Sequence, residues 1–234
     1  MKRLLGVVAA ACMSPAYSAD FTSLNTLTQG EFHRLAQDIG SAFSYKGVTP
    51  ATPLGPIGFD LGIEATATRM ENSSLFARAG AGSHSQLVVP KLHVNKGLFA
   101  GFDIGAFVGG STDVSAALFG LDLRYAIVSD TLATPAVAVR LSGTRATGLG
   151  DLKIATAAAD VMVSKSFVML TPYVGAGLVR VQANVENTAL GDEKFNRSRV
   201  FGGLNVNLVG ANLAVEAEKM GSNTSLSAKV GVRF

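Results

Sequence analysis

Three histidines, His33, His84 and His93, are the side chains of this 234-residue sequence best suited to move a proton near neutral pH. His84 lies between Ser83 and Ser85 with Glu71 upstream, so an acid, a base and a hydroxyl occur in one segment, as a hydrolase needs. Neighbours in sequence are not a catalytic dyad, because such partners are defined by geometry and by a third, orienting group. A solvated loop is the stronger reading of that segment. His33 falls in a stretch of helical spacing and His93 near a turn. There is no paired-carboxylate motif, no metal-ligand cluster and no phosphate loop of recognised spacing. Neither a metal nor another cofactor is expected, and catalysis is not expected.

A second set of polar residues is more regular. Asp60, Glu64, Asp103, Asp122, Arg124, Arg140, Glu216, Glu218, Lys229 and Arg233 each fall on the polar side of an alternating segment. Six are acids and four are bases, close to balance. Charges withdrawn from bulk water need partners, so one reading is a ladder of ion pairs that fills a narrow lumen. The other is a water-filled passage whose charges select solutes.

The elements that must position these charges are strands. Leu226, Ala228, Val230, Val232 and Phe234 face one way while Ser225, Ser227, Lys229, Gly231 and Arg233 face the other. The same period of two relates Phe119, Leu121, Leu123, Tyr125 and Ile127 to Gly120, Asp122, Arg124 and Ala126. Such segments recur near 57–70, 85–95, 98–109, 113–128, 134–147, 151–164, 167–183, 197–209, 212–220 and 224–234. Their length suits tilted strands crossing an outer membrane rather than the strands of about five or six residues usual in soluble sheets. Both faces of 151–164 are apolar, so Ile154 and Val161 are assigned to lipid with either free to face inward. Short connections at 95–97, 129–133, 165–166 and 210–211 fall on one side, and the longest, 71–84 and 184–196, on the other. That is the periplasmic and external division of a bacterial barrel with an even strand number. The fold expected is all-β, a closed antiparallel transmembrane barrel of about ten strands over 56–234, with no second domain.

Composition agrees. The chain is 48% hydrophobic and only 16% charged, with 26 Gly, so it is poor in charge beside an ordinary soluble domain. Outside the first residues no continuous apolar run reaches the roughly 20 needed for a helical span. Residues 1–19 read as an export leader, with Lys2 and Arg3 ahead of an apolar core and a small-residue end, cut after Ser18 or Ala19. Cys12, the single cysteine, lies within it. Removing Lys2 and Arg3 from the 20 Lys and Arg leaves 18 against 17 acids, a net charge of +1, and nothing suggests a nucleic-acid partner.

Residues 20–55 differ. Thr28 and Glu31 have capping-box spacing, and Phe32, Leu35, Ala36 and Ile39 recur at helical intervals, so a short amphipathic helix is expected there. An extended stretch over 41–48 and the prolines Pro50, Pro53 and Pro56 follow. The first reading is a periplasmic lead-in packed under the barrel. A plug inside the lumen is the second, and an extra strand pair giving twelve strands the third.

The leader, the amphipathic strands and the ending Val230, Val232, Phe234 resemble bacterial outer-membrane β-barrel proteins. The resemblance covers about 57–234, and it implies that Phe234 is read by the barrel-assembly machinery. The segment 45–68 is also similar to small exported barrels of proteobacteria without assigned activity. The sequence departs from the family in having no Trp and only four Tyr for its aromatic girdles. The expected role is a narrow small-solute channel in the outer membrane, with lipid, the assembly machinery and small solutes or ions as partners. The alternatives are a structural barrel with a filled lumen and an adhesin using 184–196.

Overall fold

Period-two alternation closes on itself in the computed structural model, which describes residues 20–234. The leader expected over 1–19 lies outside the described residues. Ten strands run β1 Phe59–Arg69, β2 Gln86–Gly97, β3 Phe102–Gly110, β4 Ala117–Val128, β5 Ala136–Leu149, β6 Leu152–Ser164, β7 Leu170–Val185, β8 Glu193–Leu208, β9 Ala211–Met220 and β10 Asn223–Arg233. Each pairs antiparallel with its sequence neighbours, and β1 pairs with β10 from Asp60↔Arg233 to Thr68↔Ser225. The seam is completed by Phe59 N–H donating to Phe234 O at 2.7 Å and Phe234 N–H donating to Phe59 O at 3.0 Å. Closure leaves no ladder edge unpaired, the condition for a sheet in hydrocarbon. Strand number is ten, not twelve.

The faces are those of a membrane barrel turned against water's preference. On β4 the exposed residues are Phe119, Leu121, Leu123, Tyr125 and Ile127, whereas Asp122 and Arg124 are buried inside. The barrel has a turn end, with connections 98–101, 129–135, 165–169 and 209–210, and a loop end, with 70–85, 111–116, 150–151, 186–192 and 221–222. The longest loop carries the short helix α2, Ser73–Arg78. Gly210 sits at φ 81 in the tight β8–β9 turn, a left-handed conformation that favours glycine.

Inside lies α1, Gln29–Phe43, which buries Phe32, Leu35, Ala36, Ile39 and Phe43. Thr28 caps it with the expected box: its N–H donates to Glu31 Oε2 at 2.9 Å while its hydroxyl accepts from the Glu31 amide. The helix packs against β1, β2, β5, β6, β7 and β10 and begins at the loop end, where Gln29 Nε2 donates to Gly191 O at 3.0 Å. Residues 44–58 then run down the lumen to β1 without helix or strand, bending at 51–52 and turning at 56–57. The segment, called the plug below, therefore lies inside the barrel and not beneath it. An apolar stripe signals that a helix packs, but not against which partner.

Three further expectations need correction. Ile154 is buried at the plug and faces inward, while Val161 is 54% exposed on the outside. The helix continues to Phe43, so the extended stretch starts at 44 rather than 41. β8 starts at Glu193, which shortens the loop expected over 184–196 to 186–192. The inward glycines leave less empty volume than their size suggests: the Phe107 ring covers Gly120, the Tyr173 ring Gly203 and the Phe201 ring Gly175. Gly97 lets the plug's end cross β2, because a Cβ there would overlap the Gly55 carbonyl.

Candidate functional site: the charged lumen and its plug

The ten charges named in the sequence take buried or nearly buried positions on the strands. Asp60 and Glu64 on β1, Asp103 on β3, Asp122 and Arg124 on β4, Arg140 on β5, Glu216 and Glu218 on β9 and Lys229 on β10 are buried. Arg233 keeps 8% of its side chain exposed. They stand on the inward parity of strands whose other parity is apolar, so burying the apolar face in lipid forces the charges into the lumen.

They are arranged in pairs. Near the turn end, Lys229 Nζ donates to both Asp60 oxygens at 3.0 and 2.9 Å, and Arg233 Nε lies 3.6 Å from Asp60 Oδ2. Arg124 pairs with Asp103 and also donates to Thr49 Oγ1 at 2.7 Å and Pro50 O at 2.8 Å, tying the plug to β4. At mid-height Asp160 on β6 accepts from Arg140 Nε at 2.9 Å and from Arg199 Nε at 2.7 Å. Arg199 reaches on to Tyr45 O at 2.6 Å and Glu218 Oε2 at 3.4 Å. Lys91 donates to Glu64 at 2.8 Å, and Tyr173 Oη to Glu216 Oε2 at 2.9 Å. Such networks in a dry interior are strong only when their members are satisfied together.

The middle of the lumen is occupied by 45–49, where Tyr45, Lys46, Val48 and Thr49 are no more than 2% exposed. Tyr45 Oη bonds Asp122 and, at 2.9 Å, His93 Nε2. Lys46 Nζ lies 3.2 Å from Glu218 Oε1 and donates to Ser41 O at 2.7 Å. Gly47 faces Arg140 Nη1 so closely that a Cβ would collide with it. At the turn end a cavity of about 190 Å³ remains among Pro50, Thr52, Leu54, Asn205, Arg233 and Phe234.

Sequence reasoning missed Asp160, Arg199, Lys91, Lys46 and the Tyr45–His93 contact. Lys91 and His93 share the inward parity of β2, and Arg199 shares that of Phe201, so those signals were present. The histidines do not form a catalytic set. His93 is buried in the lumen, His33 Nδ1 bonds Glu193 at 2.7 Å, and His84 Nε2 bonds Ala81 O at 2.8 Å. Glu71 lies 3.9 Å from Arg69 rather than beside His84. Among the described residues no group of three His, Cys, Asp or Glu is placed to hold a metal.

No family model matches the chain, and no curated protein matches it in sequence. Solved structures similar to it include the KdgM porin in complex with disordered oligogalacturonate, 8% identical over 76% of this chain and 99% of that one, with a TM-score of 0.37. Neisserial surface protein A is 16% identical over 76% and 97% of the two chains at 0.34. Ail, the attachment invasion locus protein of Yersinia pestis, is 14% identical over 76% and 99% at 0.32. The barrel assignment rests on this chain's own closed ladder.

Proposed function

We propose that the chain is an outer-membrane barrel that carries its own plug, a small-solute passage held closed until the N-terminal segment is displaced. The observation that carries this reading is the ownership of the ion pairs. Lys229–Asp60, Arg124–Asp103, Arg140–Asp160, Arg199–Asp160 and Lys91–Glu64 all join wall to wall. Of the buried ion pairs, Lys46–Glu218 alone joins plug to wall among the described residues. Withdrawal of the plug therefore leaves a polar wall on which these five pairs remain made, while Asp122 loses the Tyr45 hydroxyl and Glu218 keeps Arg199, a lining suited to small hydrated solutes. In this reading the loop end faces outward, Phe234 is the residue read by the assembly machinery, and the leader is removed after export.

A second reading, a permanently filled structural barrel, draws support from the apolar cluster at the loop end, where Phe21, Leu24, Phe32, Leu35 and Phe76 are buried together. Swelling of proteoliposomes in small sugars separates the two. The passage reading expects swelling from a chain lacking 20–55 and little from the intact chain. A folded truncated barrel that admits no sugar sinks it.

A further inference from the structure

The outward face of the barrel carries charge of one sign only. Among the described residues no outward position of any strand holds an acid, yet Arg69, Arg145, Lys153, Arg180, Lys194 and Lys219 all point outward near the loop end. Lys153 is paired with Glu186 and Arg69 lies by Glu71. Among the described residues Arg145, Arg180 and Lys194 have no ion-pair or hydrogen-bond partner, and the acids of the neighbouring loops are engaged elsewhere. Asp192 accepts from Asn184 Nδ2 at 2.6 Å and from the Val185 amide at 3.1 Å, and Asp151 accepts from Asn187 Nδ2 at 2.9 Å.

The strand register gathers these three cations. Arg145 on β5 opposes Ala155 on β6, Ala155 opposes Gln182 on β7, and Gln182 opposes Lys194 on β8. One row nearer the barrel's middle, Ala157 opposes Arg180 and Arg180 opposes Asn196. Strands lie about 4.8 Å apart and successive outward residues about 7 Å along a strand, so Arg145 and Arg180 stand roughly 12 Å apart. Between them is a floor of Gly143, Ala155 and Ala157, low enough for a headgroup to lie between the two guanidiniums.

Height fixes what the patch meets. On β7 the outward residues Leu170, Pro172, Val174, Ala176 and Leu178 form the apolar band, and Arg180 is the next outward residue. Eight residue steps at about 3.4 Å, tilted by about 40°, give roughly 20 Å of height, close to the apolar band of about 25 Å in such barrels. Arg180 is thus level with headgroups and points sideways into the leaflet; Arg145 likewise follows Leu141 and Gly143 on β5, and Lys194 stands above them, beyond Val200, Ser198 and Asn196 on β8.

We propose that Arg145, Arg180 and Lys194 form a docking surface for phosphorylated lipid headgroups of the leaflet at the loop end. Guanidinium forks match phosphate oxygens in pairs, and the absence of outward acids removes competing partners. This inference rests on the membrane-embedded reading above.

The test uses the full mature chain in nanodiscs of phosphatidylcholine, with and without diphosphorylated lipid A, and reads lipid retained on the protein by native mass spectrometry. The intact chain is expected to retain lipid A over phosphatidylcholine, with about a fivefold loss for each cation removed in Arg145→Gln, Arg180→Gln and Lys194→Gln. Lys219→Gln, a lone cation on β9, is expected to change retention much less than any of these. Arg145→Lys and Arg180→Lys should keep most of the retention, which separates lost charge from a damaged fold. Free inorganic phosphate at matched concentration should not displace the lipid. Equal retention by the triple variant, or no preference over phosphatidylcholine in the intact chain, overturns the docking surface. A chain that does not insert into nanodiscs overturns instead the membrane reading beneath it.

Discussion

Lys46 of the plug and Glu218 of β9 stand 3.2 Å apart with both side chains closed to solvent, 0% and 2% exposed. Glu218 also meets Arg199 at 3.4 Å, and Arg199 holds the Tyr45 carbonyl, so one carboxylate links the plug's charge and the wall's ladder. Removing one partner of such a pair leaves a buried charge without compensation. Lys46→Met should weaken plug docking by about 3 kcal/mol, read as faster hydrogen exchange in α1. The double variant with Glu218→Gln should recover part of the loss. Unchanged exchange in Lys46→Met contradicts the linkage.

Asp160 is shared by Arg140 and Arg199 on the two strands flanking β6 and β7. Asp160→Ala leaves Arg140 without its ion pair and Arg199 with only its longer contact to Glu218, so it should cost more than the loss of a singly paired acid, roughly 3–5 kcal/mol. The measurement is the temperature at which the folded band converts to the slower unfolded band in electrophoresis. Asp103→Ala is the comparison, and an equal or smaller fall for Asp160→Ala counts against the shared pairing.

Acid should loosen the loop end before it opens the barrel. The Glu31 carboxyl is held down to about 2, chiefly by its bond to Arg78 and next by the Thr28 amide. Since the folded value lies below the ordinary 4.5, the contact's contribution is complete above pH 4.5 and is lost as pH falls towards 2. Exchange protection at the start of α1 and in α2 should fall through that window, and Glu31→Gln should abolish the dependence. Protection that stays level from pH 5 to about 2 would refute the assignment.

The strands were legible because lipid on one side and polar groups on the other impose a strict period of two, as Leu226 to Phe234 display. Legibility failed where that contrast is missing. Lys194 and Asn196 face outward above the apolar band, so the start of β8 read as loop. Ala155, Ala157 and Ala159 face lipid while Ile154 faces the plug, so β6 gave no parity and Asp160 was not placed on the inner wall. The helix was visible in Phe32, Leu35 and Ile39, but its site inside the barrel depends on contacts with Leu149, Leu152 and Ile154 more than a hundred residues away.

The outward face makes its own prediction. Leu121 is 49% exposed at the middle of β4, and a cation at the bilayer midplane of a barrel costs about 2–4 kcal/mol. Leu121→Arg should lower folding stability in lipid vesicles by that amount, with Leu121→Ala well below it. Equal effects from the two would mean that this face does not meet hydrocarbon.

In the proposed function the plug, rather than the wall, closes the passage. Planar-bilayer recording tests it on the refolded mature chain beside one lacking 20–55, each checked as a folded barrel. A passage closed by its plug gives a silent intact chain and stable unitary steps from the truncated one. Equal conductance from both chains, or silence from both, would contradict it.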